Sequence, residues 1–201
     1  AMVNLSDIYA MGGSPKQITV SVALSKRFGI EDMEDFYAGL RLACEAHGVD
    51  IIGGDTTSSR TGLAISITAI GEVEKESAIY RNGAKETDLI CVSGDLGAAY
   101  MGLQLLEREK DVYYKQIETA KTDIERMAIS QPDFSGREYL LERQMKPEAR
   151  RDILEQLRQA GIRPTAMIDI SDGLSSELLH ICTQSKCGCR IYEERIPIDY
   201  Q

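Results

Sequence analysis

Positive charge is scarce in this chain. Its 201 residues carry 23 lysines and arginines against 32 aspartates and glutamates, a net charge of −9 and a pI near 4.8. A nucleic-acid-binding surface needs the opposite sign, so no nucleic-acid partner is expected. No stretch approaches the roughly 20 consecutive apolar residues of a membrane-spanning helix, and no basic-then-apolar leader opens the chain. No membrane partner and a cytoplasmic location are therefore expected. The five cysteines (Cys44, Cys91, Cys182, Cys187, Cys189) contain no CxxC pair, which argues for reduced thiols over a disulfide framework. His180, Cys182, Cys187 and Cys189 offer zinc-type ligand atoms, but Cys-x-Cys gives one short chelate and not two knuckles. An amphipathic helix end followed by a half-buried strand accounts for them without a metal. The common nucleotide signatures are also missing: no GxxxxGK[ST], no GxGxxG after a strand and no kinase catalytic loop. Any ATP must be held in another way.

What is present is globular. Hydrophobic residues at 43% and charged residues at 27% suit a chain that buries a real core, and the length suits one large or two modest domains. Residues 1–13 have helical apolar spacing that stops at Gly12 and Gly13. No Ser, Thr, Asp or Asn caps that start, which suggests residues missing upstream. Ile18, Val20, Val22 and Leu24 alternate with small or polar residues, the period of a strand. Residues 31–47 read as a helix with acidic residues in its first turn, closed by Gly48. Short strands are expected at 49–52, 89–92, 166–170 and 188–192, and a longer one at 63–73. Pro147 is expected to open a helix that ends at Gly161, and another helix follows Gly173. The polar loop at 80–88 marks a domain boundary, giving domains at 1–82 and 83–201, with a charged surface insertion at about 110–140, part helical and mobile.

Four aspartates share a context that plain surface charges do not. Asp7 lies on the opening helix, Asp55 follows a strand and two glycines, and Asp169 and Asp172 flank a strand-to-helix turn. Strand ends gather ligand sites, and glycines let the backbone approach a ligand closely. Each aspartate alone is explained by a cap or an Asx turn. Together, as hard oxygen ligands without histidine, they suit Mg²⁺ serving a phosphorylated substrate.

Five segments then carry a resemblance: VNLSDIYAMGG (3–13), IIGGDTT (51–57), YRNGAKETD (80–88), VSGDLGAAYMGLQLL (92–106) and AMIDISDGLSSEL (166–178). In order and spacing they resemble thiamine-monophosphate kinase, of the superfamily that includes aminoimidazole ribonucleotide synthetase. The resemblance spans the chain apart from the charged insertion. It implies an α/β (α+β) fold of two domains with mixed sheets, the first domain dimerising through its strands. The alternating strands at 18–24 and 63–73 suit packing across a partner.

The resemblance also implies an activity, the ATP-dependent phosphorylation of thiamine monophosphate to thiamine diphosphate. Asp7 is similar to a family aspartate that bridges Mg²⁺ ions, Asp55 resembles a second ligand, and Asp169 and Asp172 resemble two more. Tyr37, Gly54, Asp55, Arg81 and Ser171 resemble nucleotide-contacting positions. Tyr37 reads equally well as a core tyrosine, and Lys146, Pro147 and Arg150, which resemble a basic family segment, read equally well as a solvated helix start. An upstream GDD segment and a downstream GGEDYE segment of that family have no counterpart here, so the chain is expected to be the central part of a longer protein, with its thiamine contacts elsewhere. The competing readings are another ATP-using member of the superfamily, such as a selenophosphate synthetase or hydrogenase maturation factor, and a catalytically silent nucleotide-binding module.

Overall fold

A computed structural model describes residues 1–198, so the end of the expected 83–201 domain lies outside the described residues. The elements run α1 (Met2–Ala10), β1 (Ser14–Leu24), α2 (Ile30–His47), β2 (Asp50–Ser58), β3 (Ala64–Glu72), α3 (Ala98–Thr119), α4 (Asp123–Met127), α5 (Glu138–Met145), α6 (Arg151–Gln159), α7 (Leu174–Ser185) and a 3-10 turn at Glu193–Arg195. The strands form one sheet in the order β2-β1-β3, with β1 parallel to β2 and antiparallel to β3. The architecture is mixed α/β with a mixed sheet, as expected.

Period-two patterning makes β1 the centre of that sheet. Ile18, Val20 and Val22 point to one face and are buried with Leu5 and Tyr9 of α1, Leu40 and Cys44 of α2, Val49, Ala149 and Leu154. Each large side chain so buried contributes roughly 1.5–3 kcal/mol. Asn4 Nδ2 donates to the Ile67 carbonyl at 3.1 Å and ties α1 to β3. At the start of α2 the Gly29 N–H donates to Asp32 Oδ2 at 2.7 Å. At its end Gly48 takes a left-handed conformation (φ +65°) that a Cβ would strain.

The strand β2 needs glycine for a different reason. Its pairing with β1 skips Ile52, a bulge, and Gly54 then lies so close to Val20 that a Cβ would sit 1.8 Å from the Val20 carbonyl oxygen. The GGDT residues are thus inside the ladder, opposite Thr19 to Val22, and do not follow a strand that ends at Ile52. Two other expectations are corrected. Residues 89–92, 166–170 and 188–192 are not strands. An apolar run reports burial or its demand, whereas a strand also needs a neighbouring edge to pair with, and Met167 N–H to the Tyr80 carbonyl (3.2 Å) is a single bond, not a ladder. Pro147 does not open a helix either; α6 starts at Arg151. The expected part-helical character of the 110–140 stretch agrees with α3, which runs on to Thr119 through good helix formers such as Glu107, Arg108, Glu109 and Lys110.

The chain gathers into two compact units. The first combines Ala1–Leu89 with Ala149–Cys189, and the second combines Ile90–Glu148 with the stretch from Arg190 onward. Residues 149–189 thus group with the sheet-bearing unit. In the second unit α3 and α5 meet where Gly102 faces the Leu140 carbonyl; a Cβ there would lie 2.1 Å from that oxygen. Tyr139 donates its hydroxyl to Asp95, and the Leu96 N–H donates to the Pro197 carbonyl at 2.8 Å.

Candidate functional site

Helical spacing places Asp7 first. Leu5 and Tyr9, four residues apart, turn inward from α1, so Asp7 between them faces out. Partial burial first, and then the nearby Asp169 carboxylate, raise the Asp7 carboxyl above its ordinary value, while Arg81 pulls the other way. Arg81 Nη2 lies 3.8 Å from Asp7 Oδ1, with the two side chains 40% and 55% exposed. A pair this exposed adds little to stability, about 0–1 kcal/mol. What it does is hold a guanidinium beside the Asp7 carboxylate. Arg81 and Asp169, both far away in sequence, are therefore the charged neighbours of Asp7.

The loop that carries Arg81 is pinned in place. The Ser185 hydroxyl, at the end of α7, donates to the Arg81 carbonyl at 2.9 Å, and Ser185 Oγ accepts the Ala84 N–H at 3.1 Å. Thr165 Oγ1 donates to Asp88 Oδ2 at 2.6 Å, and the same oxygen accepts the Lys85 N–H at 2.9 Å. Gly83 faces the Thr165 carbonyl so closely that a Cβ would stand 1.9 Å from its oxygen. Upstream, the Ile79 N–H donates to the Met11 carbonyl (2.9 Å), and Arg163 Nη2 donates to the Glu76 carbonyl (2.8 Å). Sequence reading missed Ser185 altogether. A single serine at a helix end carries no signal until its two partners, a hundred residues away, are known.

The other expected residues sit on other segments. Asp55 is exposed on β2, paired with Ser21 of β1. Ser171 and Asp172 are exposed in the turn before α7, where Gly173 adopts φ +134°. Tyr37 is half-buried on α2, packs against the core and meets Phe36 edge-on at a centroid distance of 5.1 Å. Lys146 lies 3.9 Å from Glu142, and Arg150 grips Asp152 with two bonds of 2.8 Å. Among the described residues no group of three or more His, Cys, Asp or Glu gathers to hold a metal ion, and that includes the His180 and cysteine set. The Asp7–Asp169 pair still fits Mg²⁺, which is commonly bound by one or two carboxylates together with substrate phosphates and waters, and not by an all-protein cage. A carboxyl whose proton affinity is raised by burial and by a second carboxylate nearby is a site a cation would relieve.

Residues 1–73, from α1 through β3, match the family described as AIR synthase related protein, N-terminal domain. Across nearly all its length the chain is similar to thiamine-monophosphate kinases. It is 34% identical to that of Bacillus subtilis (strain 168) over 197 residues, 98% of this chain and 54% of the relative. The solved thiamine-monophosphate kinase of Stenotrophomonas maltophilia K279a superposes with a TM-score of 0.77 at 31% identity, covering 98% of this chain and 56% of that one. A solved structure described as AaThiL complexed with AMPPCP and TMP gives a TM-score of 0.69 at 30% identity, covering 92% of this chain and 51% of that one. The chain spans about half the length of the relatives it matches.

Proposed function

We propose that this protein transfers a phosphoryl group from ATP to thiamine monophosphate, giving thiamine diphosphate and ADP. The observation that carries the reading is that Asp169 and Arg81 are the charged neighbours of Asp7 in a chain that aligns with thiamine-monophosphate kinases over 98% of its length. The binding of an ATP analogue and TMP by a structural relative supports it. Donor and acceptor are both anions, so repulsion dominates the barrier. An acceptor phosphate oxygen is already ionised at neutral pH and needs no strong general base, which leaves positioning and charge neutralisation as the protein's task.

In this reading Asp7, Asp55, Asp169 and Asp172 hold Mg²⁺, which when bound supplies the neutralising charge between the two phosphate chains. Arg81 donates to phosphate oxygens, and its planar fork binds two where lysine offers a point charge. Gly54 brings its backbone, Ser171 its hydroxyl and Tyr37 its ring to the nucleotide. No aspartate acts as a nucleophile. A homodimer through the sheet is part of the same reading: all of β2 and most of β3 are exposed, with Ile51, Ile52, Ile65 and Ile70 on their surfaces. A cytoplasmic location follows from the substrates; no described helix is long and apolar enough to cross a membrane.

ADP release with and without thiamine monophosphate is the test. Release that depends on thiamine monophosphate is expected. A protein that binds ATP and consumes none would establish the silent nucleotide-binding module in its place.

A further inference from the structure

The turn that carries Asp169, Ser171 and Asp172 has few internal supports. Gly173, with φ +134°, is the residue before α7, and no side chain caps the helix there. The support comes from inside the helix. Glu177, one turn further on, is 4% exposed, and its Oε1 accepts the Asp172 N–H at 3.1 Å. Its other oxygen, Oε2, is buried with no hydrogen-bond partner among the described residues. A half-satisfied buried carboxylate is a poor way to stabilise a fold, since one hydrogen bond repays only part of the cost of taking the group out of water. Its benefit must therefore be sought in what it holds.

We propose that Glu177 is a positioning residue for the phosphoryl-transfer site: it fixes the Asp172 backbone from the buried side, so that the Ser171 and Asp172 side chains stay on the exposed side. The geometry suits the role. The bond goes to the backbone of Asp172 and leaves its carboxylate free to face solvent, and a turn with a glycine in a left-handed conformation at its end has no stiffness of its own to replace that bond. Groups that orient metal-binding side chains from behind matter nearly as much as the ligands, and their loss typically costs about 10- to 100-fold in metal affinity or activity. The proposal rests on the kinase reading for its consequence and on the Asp172–Glu177 bond for its cause, and the two are tested separately.

The full-length protein is compared as wild type, Glu177→Gln, Glu177→Leu and Glu177→Met. Backbone amide exchange at Asp172 is followed without nucleotide or metal, together with Tm and the Mg²⁺ concentration giving half-maximal ADP release. The apolar variants should keep their Tm, exchange the Asp172 amide at least about tenfold faster, and need about 10- to 100-fold more Mg²⁺. Glu177→Gln keeps a carbonyl-type acceptor and should restore most of both properties. A cap that serves only helix stability would instead lower Tm and leave the Mg²⁺ requirement alone. Folded apolar variants with wild-type exchange and wild-type Mg²⁺ dependence would overturn the proposal, as would a glutamine variant no better than leucine. Wild-type protein that releases no ADP would sink the kinase reading, while amide exchange would still decide whether Glu177 holds the turn.

Discussion

The two compact units differ in how much apolar side chain they bury, although both also expose some. Around β1, Leu5, Ile18, Val20 and Val22 are essentially sealed from solvent by helices on one side of the sheet. In the helical unit, Met101, Tyr114, Ile124, Met127 and Met145 are exposed, and the closest approach is the α3–α5 crossing at Gly102. All the residues assigned to phosphate and metal handling lie in the sheet-bearing unit. That pairing has a physical basis: a site needs its groups held to fractions of an ångström, and only elements locked by packing hold them so. The contact between Asp7 and Arg81 is weak by itself. The core under α1 and the pinned loop under Arg81 are what keep it in place.

That contrast is most easily broken by stability measurements. Ile18→Ala should lower the unfolding free energy by about 2–5 kcal/mol, whereas Met127→Ala, at a position 88% exposed, should change it by about 0.5 kcal/mol or less. Comparable losses in urea unfolding would abolish the distinction between the units. Next in size is Arg81→Ala, expected to lose about 1.5–3 kcal/mol, roughly 10- to 150-fold, in kcat/KM for ATP with little change in Tm. Arg81→Lys should retain part of the activity. An unchanged kcat/KM in the alanine variant assigns Arg81 to a solvated loop. Asp7→Asn and Asp55→Asn should each cut turnover at limiting Mg²⁺ by about 10- to 100-fold. A near-normal rate in either removes that residue from the ligand set.

The smallest effect concerns Asp152. Hydrogen bonds from Arg150 hold its carboxyl below the ordinary value of 3.8. The folded state is thus favoured by an ionised Asp152 at any pH above that ordinary value, and this contribution is lost as pH falls through the lowered folded value. With both side chains partly exposed, Asp152→Asn should cost under about 1 kcal/mol at neutral pH and flatten the acid end of the stability curve. A stability loss that is equally large at pH 7 and in acid would place the effect in the helix start and not in the charge.

Local periodicity made much of the fold legible. The helices α1 and α2, the central strand β1 and the strand β3 follow from apolar spacing and from glycines at Gly12, Gly13 and Gly48. What could not be read is what depends on partners. The segments 89–92, 166–170 and 188–192 have strand composition without a paired edge. The GGDT residues look like a loop because glycine and aspartate are turn formers, yet the tight approach to Val20 puts them in the ladder. At the site, Asp7 and Asp169 stood out as carboxylates in unusual contexts. Glu177 did not, because an acidic residue in the first turns of a helix reads as an ordinary solvated charge, and only its burial sets it apart.

Helix α7 has a bond at each end that leads to the site. One turn in from its start, Glu177 grips the Asp172 backbone; at its last residue, Ser185 grips the loop of Arg81. Twelve residues of α-helix make a strut about 18 Å long. Chain dissection is thereby constrained: a nick, an insertion or a permutation point between residues 173 and 185 would cut the strut and release both ends together, whereas the same operation at 120–137 would leave it whole.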